Sequence, residues 1–399
     1  MQVGFAVNYA EEEKQNSFIP KAFVIRYWDR VITNNLPKPS FILSKASPLS
    51  ATEAAAFEKH AAANTLSTKL PEFCSAAHLF CFPDINPQSY HKPVLKGLGT
   101  NIFKGYGKEV DLDKKFSFDN YGFTNPFKDY AKRGISFGIY TKPSSTNTVT
   151  SLVKNLVEPG KFFRERMLKE GTVMPMPDIR DKLPSRSFLP RSILAKLPFA
   201  SSKLNNMKQV FNVSKNSFME KMIVDSLSEC ERAPSKGEIK RCVGSLEDMI
   251  DFATSILGRN VTVRSTENVN GSNNNVMVGQ VREVNGGNVT ELVSCHQSLF
   301  PYLLYYCHSV PNIRIYEANL LDPKSKVKIN HGVAICHLDT TAWSPTHGAF
   351  MALGFGPGQI EVCHWIFEND MTWTVANWGS CSSHANMFLN PSNWFIFFY

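Results

Sequence analysis

Apolar residues recur with a helical period near the start of the chain and again in its middle. Residues 17–70 predict helices and turns, because "PLSATEAAAFEKHAAANTLSTKL" is rich in alanine and offers Ser50 or Thr52 as a cap. Within residues 216–257, "SFMEKMIVDSLSECERA" and "GSLEDMIDFATSIL" carry apolar residues at spacings of three and four, and Gly258 follows as a stop. Helices are therefore expected in both regions.

Beyond residue 260 the apolar period falls to two. "NVTVRSTENV", "NVMVGQVREV", "KVKINHGVAICHL" and "QIEVCHWIF" alternate apolar and polar residues, and Asn-Gly and Gly-Gly pairs between such segments favour tight turns. This pattern is typical of short antiparallel strands. The sequence thus predicts an α+β fold, in which helices are followed by a mainly antiparallel β core.

Residues 99–150 follow neither period. They are rich in Gly, Lys, Asp, Phe and Tyr, and the motif Phe-x-x-Tyr recurs four times at irregular intervals. Each unit is too short and too polar to bury a core, so we expect an extended or disordered spacer with a degenerate repeat. The tyrosines of the motif are Tyr106, Tyr121, Tyr130 and Tyr140.

The positive charge of the chain is concentrated in one window. The formal charge is +8, and residues 161–210 hold eleven Lys and Arg against four Asp and Glu, a local balance of +7. We interpret residues 151–210 as a basic linker that its prolines keep extended, and we expect Lys182, Arg186 and Arg191 to attract a polyanion. A solvated linker without a specific partner is the alternative. Motifs for nucleic-acid binding are not found, so that partner is not expected.

Nine cysteines are present, and several are near neighbours in sequence. Such local pairing suits disulfide formation in an oxidising compartment. The short pairs are Cys74 with Cys81, Cys230 with Cys242, and Cys295 with Cys307. Four Asn-X-Ser/Thr sequons agree with secretion and are candidates for glycosylation. They are Asn212, Asn260, Asn270 and Asn288.

The first residues give no sign of a targeting segment. "MQVGFAVNYAEEEK" lacks the basic start and apolar stretch of a secretory leader, and the chain has no run of about 18 apolar residues for a membrane span. We therefore expect either an intracellular protein or a natural start that differs from this one.

Cysteine and histidine stand side by side four times, with the spacing CHx10CHx27CHx25CH. On a β-strand neighbouring side chains point to opposite faces, so four such strands could gather four cysteines in one layer and four histidines in another. The sulfurs would then form two disulfides, for which three pairings are open, and the imidazoles could converge on a metal. The pairs are Cys295-His296, Cys307-His308, Cys336-His337 and Cys363-His364.

Copper is a better candidate than zinc for an all-imidazole site, and the short spacings of a Cys2His2 zinc site are absent. The alternative is that histidines beside structural cysteines only satisfy hydrogen bonds in the core. His331 and His347 are expected at turns beside Gly332 and Gly348, and they are left out of the ligand set.

The long spacing of the Cys-His pairs, with Trp365 after the last one, resembles the signature of the plant BURP domain. "GKFFRERMLKEGTVMPMPDIRDKLPSRSFLPRSI", "SECERAPSKGEIKRCVGSLEDMIDFATSILGRN", "YYCHSVP" and "EVCHWIFENDMTW" are similar to the non-catalytic beta subunits of plant polygalacturonase. So are "FIPKAFVIRYWDRVITNNLPKPSFILSKASPLSATEAAAF" and "LPEFCSAAHLFCFPD" nearer the start. The resemblance covers roughly residues 16–373.

The resemblance implies a division of the chain and a location. An N-terminal helical region over 1–98, the spacer over 99–150 and the linker over 151–210 would lead into a BURP domain over 161–373. Residues 374–399 would form an atypical tail that contains the ninth cysteine, Cys381. A secreted protein of the apoplast and cell wall is implied, so we expect the natural start to differ from this one.

The resemblance implies a non-catalytic protein that binds catalytic polygalacturonase and tethers or modulates it in the pectin matrix, with effects on pectin solubilisation and cell size. The paired aspartates and β-helix repeats of the catalytic partner's family are not found in the sequence. The alternative within the family is a copper-dependent autocatalytic peptide cyclase, in which His296, His308, His337 and His364 hold copper and a spacer tyrosine is oxidised. The short core segment that such cyclases carry is not found either.

Overall fold

The computed structural model describes residues 20–63, 72–79, 157–181, 186–345 and 347–376. The Phe-x-x-Tyr spacer, Cys81, Lys182 and the tail from residue 377 onward lie outside the described residues. The predictions made for them stay predictions.

The N-terminal region is helical, as its pattern predicts. Its helices are α1 (Pro20–Val31), α2 (Ser40–Leu43) and α3 (Ala51–Ala62), and residues 72–76 form a further helical turn. Helix α3 begins at a capping box, in which the Ser50 hydroxyl accepts from the Glu53 backbone N–H and the Glu53 carboxylate accepts from that of Ser50.

Among the residues that the structure describes, five further α-helices accompany the sheets. They are α4 (Arg191–Leu194), α5 (Leu204–Val210), α6 (Phe218–Glu231), α7 (Leu246–Leu257) and α8 (Gly348–Leu353). Ser217 and Ser245 cap α6 and α7 by accepting from the backbone N–H three residues on, and Gly258 ends α7 at a φ of 75°. The helices expected within 216–257 are confirmed, with a strand between them that the pattern did not predict.

In the described part of the chain, ten strands form two antiparallel five-stranded sheets. The first has the order β1-β4-β7-β8-β9, with bounds Val173–Pro175, Asn275–Glu283, Ile313–Leu321, Lys328–His337 and Val362–Trp365. The second has the order β2-β6-β5-β10-β3, with bounds Ile239–Val243, Leu304–Ser309, Leu292–Ser298, Met371–Val375 and Val261–Arg264. The α+β class with an antiparallel core is confirmed.

The two sheets face each other across a shared apolar layer. Val333 and Ile335 of β8 and Ile315 of β7 pack against Leu292 of β5, which belongs to the other sheet. Because side chains alternate along a strand, the intervening residues point to the outer faces, where Cys336 and Cys295 lie in two separate clusters.

The N-terminal helices share their core with the sheets. Trp28 of α1 packs on Trp373 of β10 with ring centroids 5.8 Å apart, and Phe57 of α3 lies in one cluster with Met222 of α6 and Phe300. From the sequence, residues 1–98 were expected to form a separate N-terminal region. Instead, α1 packs on the second sheet, and α3 packs in the cluster that contains α6 and the segment after β5.

The described part of residues 151–210 is not a linker, and that expectation is corrected. Phe163 pairs with Cys363 of β9 through two backbone hydrogen bonds of 2.9 Å, and Val173–Pro175 forms the edge strand β1. The prolines keep only part of this segment extended, since helices α4 and α5 also lie in it. Extended backbone, however, can pair with a strand and carry side chains into a core, and Phe163 and Met176 are both buried.

Candidate functional site

The four Cys-His pairs lie on four strands, two in each sheet. His296 and Cys295 are on β5, Cys307 and His308 are on β6, and Cys295 lies directly opposite Cys307. Cys336 and Cys363 face each other in the same way across β8 and β9. Both cysteine pairs are disulfides with a Cα–Cα separation of 4.0 Å, and a third disulfide joins Cys230 to Cys242.

The cysteines and histidines separate by strand face, but they do not form only two layers. Each sheet buries its disulfide on its outer face, in the clusters around Trp373 and Trp365, and turns its histidines toward the other sheet. The expected single cysteine layer is therefore wrong. The strand period fixes the face of each residue, but it carries no information on which strands share a sheet.

The imidazoles meet between the sheets as two pairs. His337 and His364 are stacked, with ring centroids 5.4 Å apart and their Nε2 atoms separated by 3.3 Å. His296 and His308 make an edge contact, also at 5.4 Å. All four side chains are buried, at 8% exposure or less. We call these four residues the histidine cluster.

Hydrogen bonds that Nδ1–H donates set the tautomer of three of the rings. The Nδ1–H of His296 donates to Asp370 Oδ2 at 2.9 Å, that of His308 to Glu238 Oε1 at 3.1 Å, and that of His364 to the carbonyl oxygen of Trp365 at 3.2 Å. In the neutral ring Nε2 then carries a lone pair. This is the arrangement found around metal-binding imidazoles, which donate their other N–H to a carboxylate or carbonyl oxygen.

Burial favours the neutral form of three of the four rings, His308, His337 and His364, by lowering their pKa values. Loss of water, followed by the nearby charge of His296, lowers the pKa of His364 to about 4. Burial lowers the pKa of His308 as well, and that of His337 falls well below its ordinary value for the same reason, with a contribution from His364. Neutral imidazole is the form that binds metals.

The cluster fits a metal in its chemistry, and only partly in its geometry. Two nitrogens each about 2.0 Å from one tetrahedral ion are about 3.3 Å apart, which equals the Nε2 separation of His337 and His364. Among the described residues, however, no three His, Cys, Asp or Glu side chains are placed to hold an ion together. For all four imidazoles to bind one ion, His296 and His308 would have to move closer to His337 and His364.

His347 lies against the cluster but has the opposite tautomer. Its Nδ1 accepts from the backbone N–H of Ala349, so Nε2 carries the proton, and burial lowers its pKa to about 3. As the cap of α8 it has the turn role expected from the sequence, whereas His331 lies within strand β8, so the turn expected there is wrong. Trp343 covers it, with ring centroids 4.4 Å apart, and also contacts His337 at 5.1 Å.

Sequence reasoning missed the carboxylates that support the cluster. Glu238 is buried between His308, Arg232 and the hydroxyl of Tyr306; burial raises its pKa, but the hydrogen bonds from His308 and Arg232 outweigh this and hold the pKa well below its ordinary value. Asp370 lies near the motif, in "CHWIFENDMTW", and could have been noticed. Glu238 is about 70 residues from His308, and no local pattern marks it.

Two of the three basic residues that were expected to attract a polyanion contact other parts of the protein instead. Arg186 is buried, its guanidinium donates to the carbonyl oxygens of Ser298 and Phe300, and burial lowers its pKa to about 10. Arg191 is paired with Asp248 at 2.9 Å and Asp251 at 2.7 Å. Arg186 and Arg191 are therefore engaged within the protein, and Lys182 lies outside the described residues.

The remaining candidates are placed as follows. Cys74 is disulfide-bonded, in line with its expected pairing. Of the sequon residues, Asn212, Asn270 and Asn288 are exposed. Asn260 is half-buried, and its side-chain amide donates to the carbonyl oxygen of Ala376 at 3.1 Å, so a glycan there would break an internal contact. No helix in the described part of the chain is both long and apolar enough to cross a membrane.

Comparison with known proteins gives the class. A family model of the BURP domain matches residues 161–375. The chain is 60% identical to the polygalacturonase non-catalytic subunit AroGP2 of Solanum lycopersicum over 599 aligned positions, which cover 92% of this chain and 95% of the relative. It is 61% identical to the polygalacturonase 1 beta-like protein 3 of Arabidopsis thaliana, over 94% of this chain and 96% of that relative.

The chain belongs to the BURP domain family, in the group of polygalacturonase non-catalytic beta subunits. A third relative, the polygalacturonase-1 non-catalytic subunit beta of Solanum lycopersicum, is 64% identical over 261 residues, which are 63% of this chain and 41% of that relative. The aligned part of the chain thus spans about two fifths of the length of that relative.

Proposed function

We propose that this chain is a non-catalytic subunit that binds a catalytic polygalacturonase and tethers or modulates it in the pectin matrix of the cell wall. One observation carries the proposal, namely the 60% identity to a protein named as such a subunit over 95% of that protein's length. Effects on pectin solubilisation and cell size would follow from the hold on the enzyme.

A secreted, extracellular location belongs to the same proposal. Each sheet contains one disulfide between neighbouring strands and a third disulfide joins α6 to β2, and such bonds persist in oxidising compartments. Glycosylation is proposed at the exposed Asn212, Asn270 and Asn288. Mass spectrometry of the protein from a secretory plant host should find glycans at these sites and an unmodified Asn260.

The test of the main proposal is association with the enzyme. The purified chain and a plant polygalacturonase, mixed and separated by size-exclusion chromatography, should elute as one complex, while the same chain after reduction and alkylation should not bind. The chain alone should release no reducing ends from polygalacturonate. Separate elution of the native chain, or hydrolysis by it, would contradict the proposal.

The histidine cluster favours a second candidate, a copper site for oxidative crosslinking of the chain itself. The supporting observation is the 3.3 Å separation of two buried imidazole nitrogens, with the Nε2 lone pairs of His296 and His308 in the same layer. Bound copper(II) would accept one electron from a phenol, and loss of two hydrogens would need two such steps, with dioxygen returning copper(I) to copper(II) between them. The protein's own residues would fix the tautomers through Glu238 and Asp370 and keep water out.

Copper binding and crosslinking are tested separately. Electron paramagnetic resonance with copper(II) should show nitrogen ligation that is lost in the double variant His308→Ala and His337→Ala. Peptides from residues 99–142, reduced and alkylated after incubation with copper(II), should lose two hydrogens only in the native protein. Ligation without this loss would leave a metal site with another role, and no ligation would exclude copper from the cluster.

A further inference from the structure

A cavity of about 510 Å³ opens to solvent beside the histidine cluster. Three connections meet there: the one between α6 and β2, the one after β8 and the one before β9. Its lining is one cation, one hydroxyl, one indole and three small apolar residues. These are Lys236, Thr341, Trp343, Ala342, Pro345 and Pro357.

The walls of the cavity are fixed before anything binds. The buried Thr340 hydroxyl accepts from the backbone N–H of Gly358 at 3.0 Å and donates to the carbonyl oxygen of Ile360 at 2.9 Å, which joins the connection after β8 to the one before β9. Gly358 has a φ of 72°, and a Cβ there would lie 2.8 Å from the side chain of Thr341. Only glycine allows this close approach.

Lys236 is presented by a turn that the cluster's own carboxylate holds. The backbone N–H of Glu238 donates to the carbonyl oxygen of Ser235 at 2.9 Å, and the Glu238 carboxylate accepts from the backbone N–H of Ser235 at 2.8 Å. The same carboxylate accepts from His308. The exposed lysine therefore stands on a backbone fixed by a buried network, and only its flexible side chain needs to be ordered by a ligand.

The lining has the chemistry of a site for an acidic sugar. The half-buried Trp343 is backed by His337 and His347, so its indole is held rigidly at the wall. An indole and proline rings offer flat apolar faces to the C–H groups of a sugar ring, while an ammonium group binds a carboxylate. The Thr341 hydroxyl donates to Asp339 at 2.6 Å, so its lone pairs remain to accept from a sugar hydroxyl.

We propose that this cavity binds a uronate residue of an acidic polysaccharide, with the ring on Trp343 and the carboxylate at Lys236. The choice of galacturonate rests on the proposed function, since a partner of polygalacturonase works among galacturonate polymers. The cavity takes the place of Arg186 and Arg191 as the expected contact with pectin, while Lys182 lies outside the described residues. That replacement has a structural reason, because Arg186 is buried and Arg191 is paired with two aspartates.

Removing the negative charge of Asp339 and removing the positive charge of Lys236 should change the binding of an acidic sugar in opposite directions. Its carboxylate is held by Thr341 and lies close enough to Lys236 for the two charges to interact, so it weakens the attraction of that lysine for an anion. Lys236→Ser should weaken binding of a short oligogalacturonate about fivefold at low salt, as expected for one partly exposed charge-assisted contact. Asp339→Asn should strengthen it about twofold, because the amide keeps an acceptor for Thr341 while the charge is lost.

Binding is measured by isothermal titration calorimetry on the full chain. Fully methyl-esterified oligogalacturonate, which is neutral, should bind more weakly and respond to neither charge variant. Lys203→Ser, an exposed lysine outside the cavity, is the matched control and should bind like the native chain. Trp343→Leu should weaken the binding of both ligands. If this change at a half-buried position disturbs folding, the surface variants Lys236→Ser and Asp339→Asn still test the proposal.

The outcomes also separate this proposal from the proposed function. Binding of oligogalacturonate that neither Lys236→Ser nor Asp339→Asn changes would overturn the cavity assignment, as would equal binding of polyglutamate, which would make the cavity a site for acidic peptides. If the chain forms the complex with polygalacturonase but binds no oligogalacturonate, the proposed function stands and the uronate site is overturned. The reverse result leaves the uronate site standing alone.

Discussion

A buried carboxylate between the two sheets is held by partners from distant strands. Glu317 of β7, with a side chain 9% exposed, accepts from Arg264 of β3 at 2.7 Å and from Arg282 of β4. Burial raises the pKa of Glu317, but the two guanidinium groups outweigh this and lower it. Because Arg264 belongs to the second sheet and Glu317 to the first, this pair ties the two sheets together.

Glu317→Gln should lower the free energy of unfolding by about 3 kcal/mol at neutral pH, since it leaves Arg264 buried beside a neutral amide. A carboxyl group whose folded pKa is lowered stabilises the fold above its unfolded pKa, near 4.5, and that stability is lost as the pH falls through the folded pKa. The difference between variant and native protein should therefore shrink below about pH 4.5. Denaturant unfolding curves at several pH values measure it.

Glu267→Gln is the matched control, because Glu267 is 60% exposed and 3.8 Å from its partner Lys328. It should change the free energy of unfolding by less than about 0.5 kcal/mol at any pH. A Glu317 effect that is equally small, or that grows in acid, would mean that the pair between the sheets is not formed in solution.

At the scale of elements, the local sequence pattern predicted most helices and strands but not which strands pair in a sheet. The alternation in "KINHGVAICH" correctly placed Cys336 and His337 on opposite faces of one strand, and Ser50 correctly marked the start of α3. Which strands share a sheet depends on contacts between residues far apart in sequence, so the division of the cysteines between two sheets could not be seen. For the same reason Glu238 and Arg186 gave no local signal of their buried roles.

Two disulfides of equal sequence separation allow chain entropy and packing to be compared. Cys230–Cys242 and Cys295–Cys307 each span 12 residues, but the second is fully buried in the core, while Cys230 and Cys242 are half-buried. Loop closure alone assigns about 3 kcal/mol to either bond. Replacing both cysteines by alanine should therefore cost more at 295 and 307, where buried sulfur atoms also lose their packing partners.

Denaturant midpoints of the two double variants give the comparison directly, and each variant serves as the other's control. Equal losses would mean that the buried disulfide acts through the unfolded chain alone. A smaller loss at 295 and 307 would mean that the bond across β5 and β6 adds nothing to the packing around Trp373.

At the scale of the whole molecule, the N-terminal helices and the BURP domain make one folded unit. Residues 161–375 match the family model, yet Trp28, Ile32 and Ile42 fill the same cluster as Leu246 of α7 and Trp373 of β10. Without α1, one side of that cluster would be exposed to water. The chain outside the family domain is therefore part of its core and not an appendage, at least where it is described.

This shared core predicts a single unfolding transition. Trp28→Ala should lower the free energy of unfolding by about 3–5 kcal/mol, the usual cost of truncating a buried tryptophan, and the loss should appear equally in far-UV circular dichroism and in tryptophan fluorescence. Arg26→Ala, on the exposed side of the same helix, should change it by less than about 0.5 kcal/mol. If helical signal were instead lost first, in a separate step that leaves the sheets folded, the helices would be a docked layer with its own stability. The variant would then lower only the first of two midpoints.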